Sequence, residues 1–332
     1  MESAKLSREL QQQRKLWVLL FDELTFADLG CHSAGYGISQ DFQSQCVTFE
    51  QYYIQNLQKT RNAAHVLREV LQLLRSQPAL CNPLVIHFDA ANGKDLEELR
   101  GAITELDVVS SDLTEIARAA EAQACQLCFC LLPAAQFLQT EVFEQLIRII
   151  RSASAGSESL RTEIIVTALR GRGAISESTT GPDESLMHIP LLFAGDHRST
   201  DAVQEICGSS DLPATIFDLL YQSGTEPAPA SDEKDVLFNS APVSLLQVMR
   251  AEDETVPRRL RIEGDDWTAL RTRDCLVWNH HQQSAEMDSA ESWQLFLKPE
   301  DRWNQNDVSR AYAVLLSEVL AGGEYGEQSA DL

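Results

Sequence analysis

The chain is short of positive charge: 27 Lys and Arg stand against 50 Asp and Glu, a formal net charge of −23. Tracking a phosphate backbone or an anionic membrane surface needs clustered cations, so neither nucleic acid nor membrane is an expected partner. Long apolar runs are missing too. No stretch approaches the ~20 apolar residues of a membrane span. The segment Met1 to Lys15 is polar, and the apolar run Leu16–Phe21 behind it is stopped by Asp22 short of a signal peptide's apolar core. The expected location is therefore cytoplasmic. Lysine is absent from the whole interval between Lys94 and Lys234.

Cysteine occurs eight times but not at framework spacings. Cys125, Cys128 and Cys130 lie in the apolar run CQLCFCLL, where Cys-x-x-Cys invites a zinc or redox reading. No second Cys or His pair stands at suitable spacing, so the ligand set is half missing. Buried core thiols are the expectation, with Cys128 and Cys130 on one strand face and Cys125 on the other.

What is present is enough for a large core: 332 residues, 44% of them hydrophobic. Unbroken apolar runs alternate with segments of helical period, the pattern of a parallel sheet covered by helices. Strands are predicted at Leu16–Phe21, Leu84–Phe88, Gln126–Leu132, Glu163–Leu169 and Ile189–Ala194. Helices are predicted at Ala63–Arg75, Leu96–Leu106, Leu113–Ala122 and Val142–Ile150, where Val142, Leu146, Ile149 and Ile150 form one apolar face. A further helix, Ala214–Tyr221, has Asp211 placed to cap it and Pro213 in its first turn.

After SGTEPAPASDE (Ser223–Glu233) the pattern changes. Arg259–Ile262, Trp267–Thr272 and Cys275–Trp278 are short runs separated by Gly264-Asp265-Asp266 and Arg273-Asp274, an antiparallel meander. Strand Gln294–Leu297 and helix Val308–Leu320 complete it. The expected organisation is an α/β core over residues 1–222 and a linker or irregular segment over 223–258. A small antiparallel sheet plus helix follows over 259–321, then a frayed tail over 322–332.

Four blocks, in order, resemble the sulfatase family of the alkaline-phosphatase-like superfamily. The first is WVLLFDELTFADLGCHSAGYG, an apolar strand ending in the acid pair Asp22-Glu23, then Leu29-Gly30-Cys31. The second runs from Cys46 to Asn56, where Phe49, Tyr53, Gln55 and Asn56 resemble the family's approach to its nucleophile. The third pairs TEIIVTALRG (Thr162–Gly171) with LMHIPLLFAGDHRS (Leu186–Ser199), whose His188-Ile189-Pro190-Leu191 is similar to the family's His-x-Pro-Leu. Asp-Leu-Pro-Ala-Thr from Asp211 follows, much like the family's helix opening. The fourth, Trp267–Asn279 with LFLKPEDRWNQ (Leu295–Gln305), resembles the family's C-terminal strand pair and closing turn. The resemblance implies a mainly parallel sheet flanked by helices with a small C-terminal antiparallel subdomain.

It also implies chemistry that these residues do not supply. The family's nucleophile is a Cys or Ser opening a helix, whose N-terminus favours the sulfate's charge. Here Gln55-Asn56 is followed by Leu57-Gln58-Lys59-Thr60-Arg61-Asn62, and no Cys or Ser stands between Cys46 and Ser76. Thr60 is the one hydroxyl near the required place. The family's second metal pair, Asp-His, falls on Leu169 and Arg170 in one alignment and on Pro133 and Ala134 in another. Arg170 beside Asp22 and Glu23 would replace a cation's charge with an ion pair. His87 lies in an apolar run and reads as a core histidine. Asp196-His197 follows a strand, but its His-x-Pro-Leu context places it on a different one from the metal strand. His280-His281 are adjacent, so on a strand they face opposite ways. GRGAISESTTG (Gly171–Gly181) lacks the lysine of a phosphate cradle and reads as a loop.

The expectation is a sulfatase-like protein without its catalytic groups, serving as a binding or partner module for a protein or small molecule the sequence does not name. The alternative is a divergent metal-dependent sulfuric or phosphoric ester hydrolase built on Asp22 and Glu23. No cofactor is expected under the first reading; calcium or magnesium enters only under the second.

Overall fold

Leu16, Val18 and Leu20 face one side of the first strand and Trp17, Leu19 and Phe21 the other, and all six are buried. Such a strand needs cover on both faces, and the chain supplies it. The computed structural model describes residues 14–30, 35–52, 84–87, 108–110, 127–154, 161–169, 171, 182, 184–195, 205–209, 211–221, 243–250, 258–263, 266–280, 292–301 and 304–321.

Eight strands form the main sheet: β1 (Arg14–Phe21), β2 (Cys46–Tyr52), β3 (Leu84–His87), β4 (Val108–Ser110), β5 (Leu127–Leu132), β6 (Arg161–Ala168), β7 (His188–Ala194) and β8 (Ile206–Gly208). Their order is β4-β3-β5-β1-β6-β7-β2-β8. All run parallel except β7, which is antiparallel to β6 and to β2. Four more strands, β9 (Leu260–Glu263), β10 (Trp267–Arg271), β11 (Cys275–His280) and β12 (Gln294–Leu297), make an antiparallel meander in the order β12-β11-β10-β9. The mainly parallel sheet and the second antiparallel sheet are those expected from the sequence.

The helices are α1 (Gln40–Gln43), α2 (Ala134–Phe137), α3 (Thr140–Ser154), α4 (Glu184–Met187), α5 (Asp211–Tyr221), α6 (Leu245–Arg250) and α7 (Ala313–Ala321), with one 3-10 turn at Phe26–Leu29. One face of β1 packs with Leu212, Ile216 and Leu219 of α5 and with Leu245 and Leu246 of α6. The other packs with Phe143, Leu146 and Ile150 of α3, and Cys128 and Cys130 join this layer as buried thiols. Each large side chain removed from water this way contributes about 1.5–3 kcal/mol. Ile206 and Tyr52 of the main sheet's edge, with Met187 of α4, meet Leu260, Ile262, Ala269 and Leu276 of the meander. Leu316 and Val319 of α7 cover the meander's other face.

Several elements depart from the sequence expectations. β2 was readable only as a family motif, because its buried Val47, Phe49 and Tyr52 are interleaved with Thr48 and exposed Glu50. β4 and β8, three residues each, are too short for periodicity to reveal. The C-terminal helix begins at Ala313 rather than Val308. Leu245–Arg250, inside the stretch read as irregular, is helical because Leu245 and Leu246 complete the cover of β1. The predicted helices Ala63–Arg75, Leu96–Leu106 and Leu113–Ala122, and Cys125, lie outside the described residues.

Gly195, just past β7, sits opposite Glu163 of β6, and a Cβ there would overlap the Glu163 carboxylate. Glu163 is buried, so the carboxylate has little room to move aside. Gly195→Ala is expected to cost about 1–3 kcal/mol through overpacking. Chemical denaturation of the two proteins checks this; an unchanged midpoint would show that the carboxylate relocates freely.

Candidate active site

Because β7 alone is reversed, the C-terminal ends of β1, β5, β6, β2 and β8 lie on one edge, together with the start of β7. In open α/β sheets this edge is where ligands bind. It carries Asp22 directly after β1, Pro133 and Ala134 after β5, Leu169 after β6, His188 at the start of β7 and Tyr52 at the end of β2.

The Asp22 backbone N–H donates to Leu132 O at 3.1 Å, and Leu169 N donates to Phe21 O at 2.9 Å. The acid pair is thus flanked by the two strand ends on which the alternative Asp-His alignments fall. The side chain of Asp22 is exposed, and its Oδ1 accepts from Glu23 N at 2.9 Å and from Ala134 N at 2.7 Å. That second bond caps α2 from a neighbouring strand, where Pro133 supplies no side-chain cap. Glu23 is half-buried. Thr60 and Arg170, the candidate nucleophile and the candidate charge replacement, lie outside the described residues, as do Asp196, His197 and His281 and the side chain of His87.

A calcium or magnesium ion is held by six or more oxygens, several of them from carboxylates when the site is built by protein. Among the described residues no group of three or more His, Cys, Asp or Glu is placed to hold a metal ion. One Asp22 oxygen already accepts two N–H groups. The described donor set does not fit such an ion.

The turn beyond the acid pair is held firmly. The Asp28 carboxylate accepts from Thr25 N and Thr25 Oγ1, each at 2.8 Å. Gln43 of α1 donates to Leu29 O at 2.9 Å and to Ile38 O at 2.6 Å. Phe26 in this turn places its ring 4.5 Å from that of His188, and the His188 ring stacks on Tyr52 at 4.8 Å and 7°. Arg271 of β10 lies against the same Tyr52 ring at 4.9 Å and donates from Nη2 to its hydroxyl at 2.9 Å. Burial, opposed by Arg271, holds the Tyr52 phenol well above its ordinary value of 10.

Behind Tyr52 is a charged cluster. Glu184 Oε1 lies 3.0 Å from Lys298 Nζ and 3.5 Å from Arg271 Nε, with all three side chains at least nine-tenths buried. Lys298 Nζ also donates to Asp301 O and Asn304 Oδ1, both at 2.6 Å, and Asn304 Nδ2 donates to Pro182 O at 3.1 Å. Desolvation lowers the Lys298 pKa from its ordinary 10.5. Arg271 Nη1 is taken up by the carbonyls of Thr272, Arg273 and Cys275. This cluster joins the meander to the main sheet, with its charges paired within the protein.

Glu50 of β2 faces His188, its Oε2 at 3.5 Å from Nε2. The His188 contact, outweighing desolvation, lowers the Glu50 pKa below 4.5. A carboxylate depressed in the folded state adds stability above its unfolded value, and that contribution is lost as pH falls below about 4.5.

Asp211, expected as a cap for its own helix, is used otherwise. Its carboxylate accepts from Gly208 N at 2.7 Å and Val243 N at 2.8 Å, and Arg258 engages both oxygens, at 2.6 and 3.0 Å. His280 pairs with Asp266 at 2.9 Å within the meander, away from the acid pair. The Phe26–His188–Tyr52–Arg271 chain was not identified from sequence, although His188 and the Arg271 block both stood in quoted motifs.

No family model matches the sequence, and no curated protein matches it. Solved structures do. A protein in the alkaline phosphatase superfamily from Vibrio parahaemolyticus superposes with a TM-score of 0.55 at 14% identity, over 92% of this chain and 88% of that one. The phosphonate monoester hydrolase of Agrobacterium radiobacter gives 0.55 at 10% identity, over 92% and 95%. Ps i-CgsB, solved in complex with a neocarrahexaose, gives 0.56 at 11% identity, over 92% and 91%. The chain has the alkaline-phosphatase-like α/β fold.

Proposed function

We propose that this chain is a non-catalytic member of the sulfatase-like group, a binding or partner module that retains the architecture without the hydrolytic groups. The observation that carries the reading is the bonding of Asp22: its Oδ1 accepts from two backbone N–H groups and caps α2, a structural use for the acid that requires no cation. Sequence supports it independently. Transition-state charge in sulfate or phosphate ester cleavage is stabilised by metal ions, lysines and a positioned nucleophile together. The stretch Leu57–Asn62 has no Cys or Ser, neither Leu169-Arg170 nor Pro133-Ala134, the two alignments of the Asp-His pair, supplies a ligand, and Lys94 to Lys234 contains no lysine between them.

The test is an assay with aryl sulfate and aryl phosphate esters in the presence of calcium, magnesium or zinc. The expected outcome is a rate equal to that of buffer with metal. Turnover that disappears in Asp22→Ala, with the variant shown by its thermal melt to remain folded, would overturn the reading. It would favour instead a metal-dependent ester hydrolase working through Asp22 and Glu23.

A further inference from the structure

Two kinds of uncovered side chain meet on α7. Among the described residues the large hydrophobic side chains left exposed are Tyr312 at 45% and Val314 at 73%, both at the start of this helix. Leu316 and Val319 turn inward to cover the meander. Val314, Ser317, Glu318 and Ala321 stand three and four residues apart, so they share the opposite stripe, and all four are exposed. Ser317 and Ala321 are small, and the Ser317 hydroxyl donates back to Ala313 O at 2.9 Å. A second backbone can approach this stripe closely, with Val314 as its apolar centre.

The charges at either end decide what fits. The turn before α7 is helical in its bonding: Val308 O accepts from Ala311 N at 2.9 Å and from Tyr312 N at 3.0 Å. Arg310 precedes Val314 by one helical turn and Glu318 follows it by one. Both are exposed, and among the described residues neither has an ion pair or hydrogen bond. Asp307, the acid before Arg310, is already taken up by Leu295 N and Ser309 N. A two-fold axis passing near Val314 sets two copies of this segment antiparallel. Arg310 of each copy then faces Glu318 of the other, Ala311 faces Ser317, and Val314 faces itself. A parallel arrangement would oppose like charges instead. A partner of one charge sign satisfies one end of the face, whereas a second copy satisfies both.

We propose that the outer face of α7 is a self-association surface whose occupant is a second copy of this chain, packed antiparallel about Val314 with two reciprocal Arg310–Glu318 pairs. The proposal concerns this face alone and stands whether or not the acid pair is catalytic. The net charge of −23 on each copy opposes association. At physiological ionic strength that repulsion is screened beyond about 8 Å, while the apolar contact at Val314 is unaffected by salt. The result is a weak, reversible dimer.

Analytical ultracentrifugation of the full chain at physiological salt should show monomer and dimer exchanging across the micromolar range. Val314→Glu sets two carboxylates together at the two-fold and should weaken the dimer at least about tenfold. Its thermal melt at low concentration should match the parent, because the side chain is exposed. Arg310→Glu and Glu318→Arg each turn two attractions into two repulsions, so each should weaken the dimer roughly three- to tenfold. Mixing these two single variants in equal amounts should restore association as a heterodimer, since each then supplies the charge the other needs. Only pairing between copies predicts that rescue. A chain that stays monomeric at every concentration overturns the proposal, as it would if another segment or another protein covered this face. A dimer indifferent to Val314→Glu, or single variants that mixing does not rescue, overturns it equally.

Discussion

Asp211→Ala is expected to lower the free energy of unfolding by about 3–5 kcal/mol, the range for breaking a buried ion pair from one side. The carboxylate is 1% exposed and the Arg258 side chain 6%. Removing it strips Arg258 of both its bonds to oxygen at Oδ1 and Oδ2, leaving Ile206 O at 3.2 Å as its remaining described acceptor. It also deprives Gly208 N and Val243 N of their acceptor. The strand β8, the start of α5, the approach to α6 and the entry to β9 are all tied at this point. Arg258→Ala should cost less, because Asp211 keeps its two backbone donors and the first turn of a helix, where negative charge is favoured. Urea titration of both variants tests the asymmetry. An equal or larger loss for Arg258→Ala would show that the backbone bonds contribute little.

Glu184→Gln should be of similar size, about 3–5 kcal/mol, for a different reason. The wild-type cluster holds two buried cations against one carboxylate, so removing that carboxylate leaves Lys298 and Arg271 to repel each other. Lys298 has the means to relieve this by releasing its proton. A lysine whose folded pKa is depressed binds fewer protons when folded than when unfolded, so stability rises with pH up to its ordinary value near 10.5. The window begins lower in Glu184→Gln, because the remaining positive neighbour depresses Lys298 further. The deficit against wild type should therefore shrink as pH rises from about 7 to 10. A pH-independent deficit would mean that lost packing, not charge, sets the cost. Glu184→Leu combined with Lys298→Met should recover much of the loss, since apolar replacement of a buried pair is often near neutral.

The two clusters explain why parts of the chain were legible and others were not. β1, β5, β6 and β7 are buried on both faces, so each is built around an unbroken apolar run that stands out without any partner being known. The meander was legible through its turn residues, and its last strand matched residue for residue at Gln294–Leu297. β2 was hidden because one of its residues, Glu50, serves His188 rather than the core. The site divided in the same way. Asp22 and Glu23 announced themselves as adjacent acids at a strand end. His188, Tyr52, Phe26 and Arg271 come from four separate elements, and no spacing along the chain relates them.

The acid pair, the absent Cys or Ser after Asn56 and the shortage of cations were determined by the sequence alone, because they are statements about which residues exist. Local chemistry also determined the strands buried on both faces and the turns between short antiparallel ones. The bonding of those groups was decided by tertiary structure. Asp22 reads as a cation ligand in isolation and becomes a helix cap once β5 places Ala134 N 2.7 Å from it. Asp211 reads as a cap for its own helix and becomes the partner of Arg258, 47 residues away. A carboxylate takes whichever donors the fold brings within reach, and in a parallel sheet those donors come from strands that are distant in sequence.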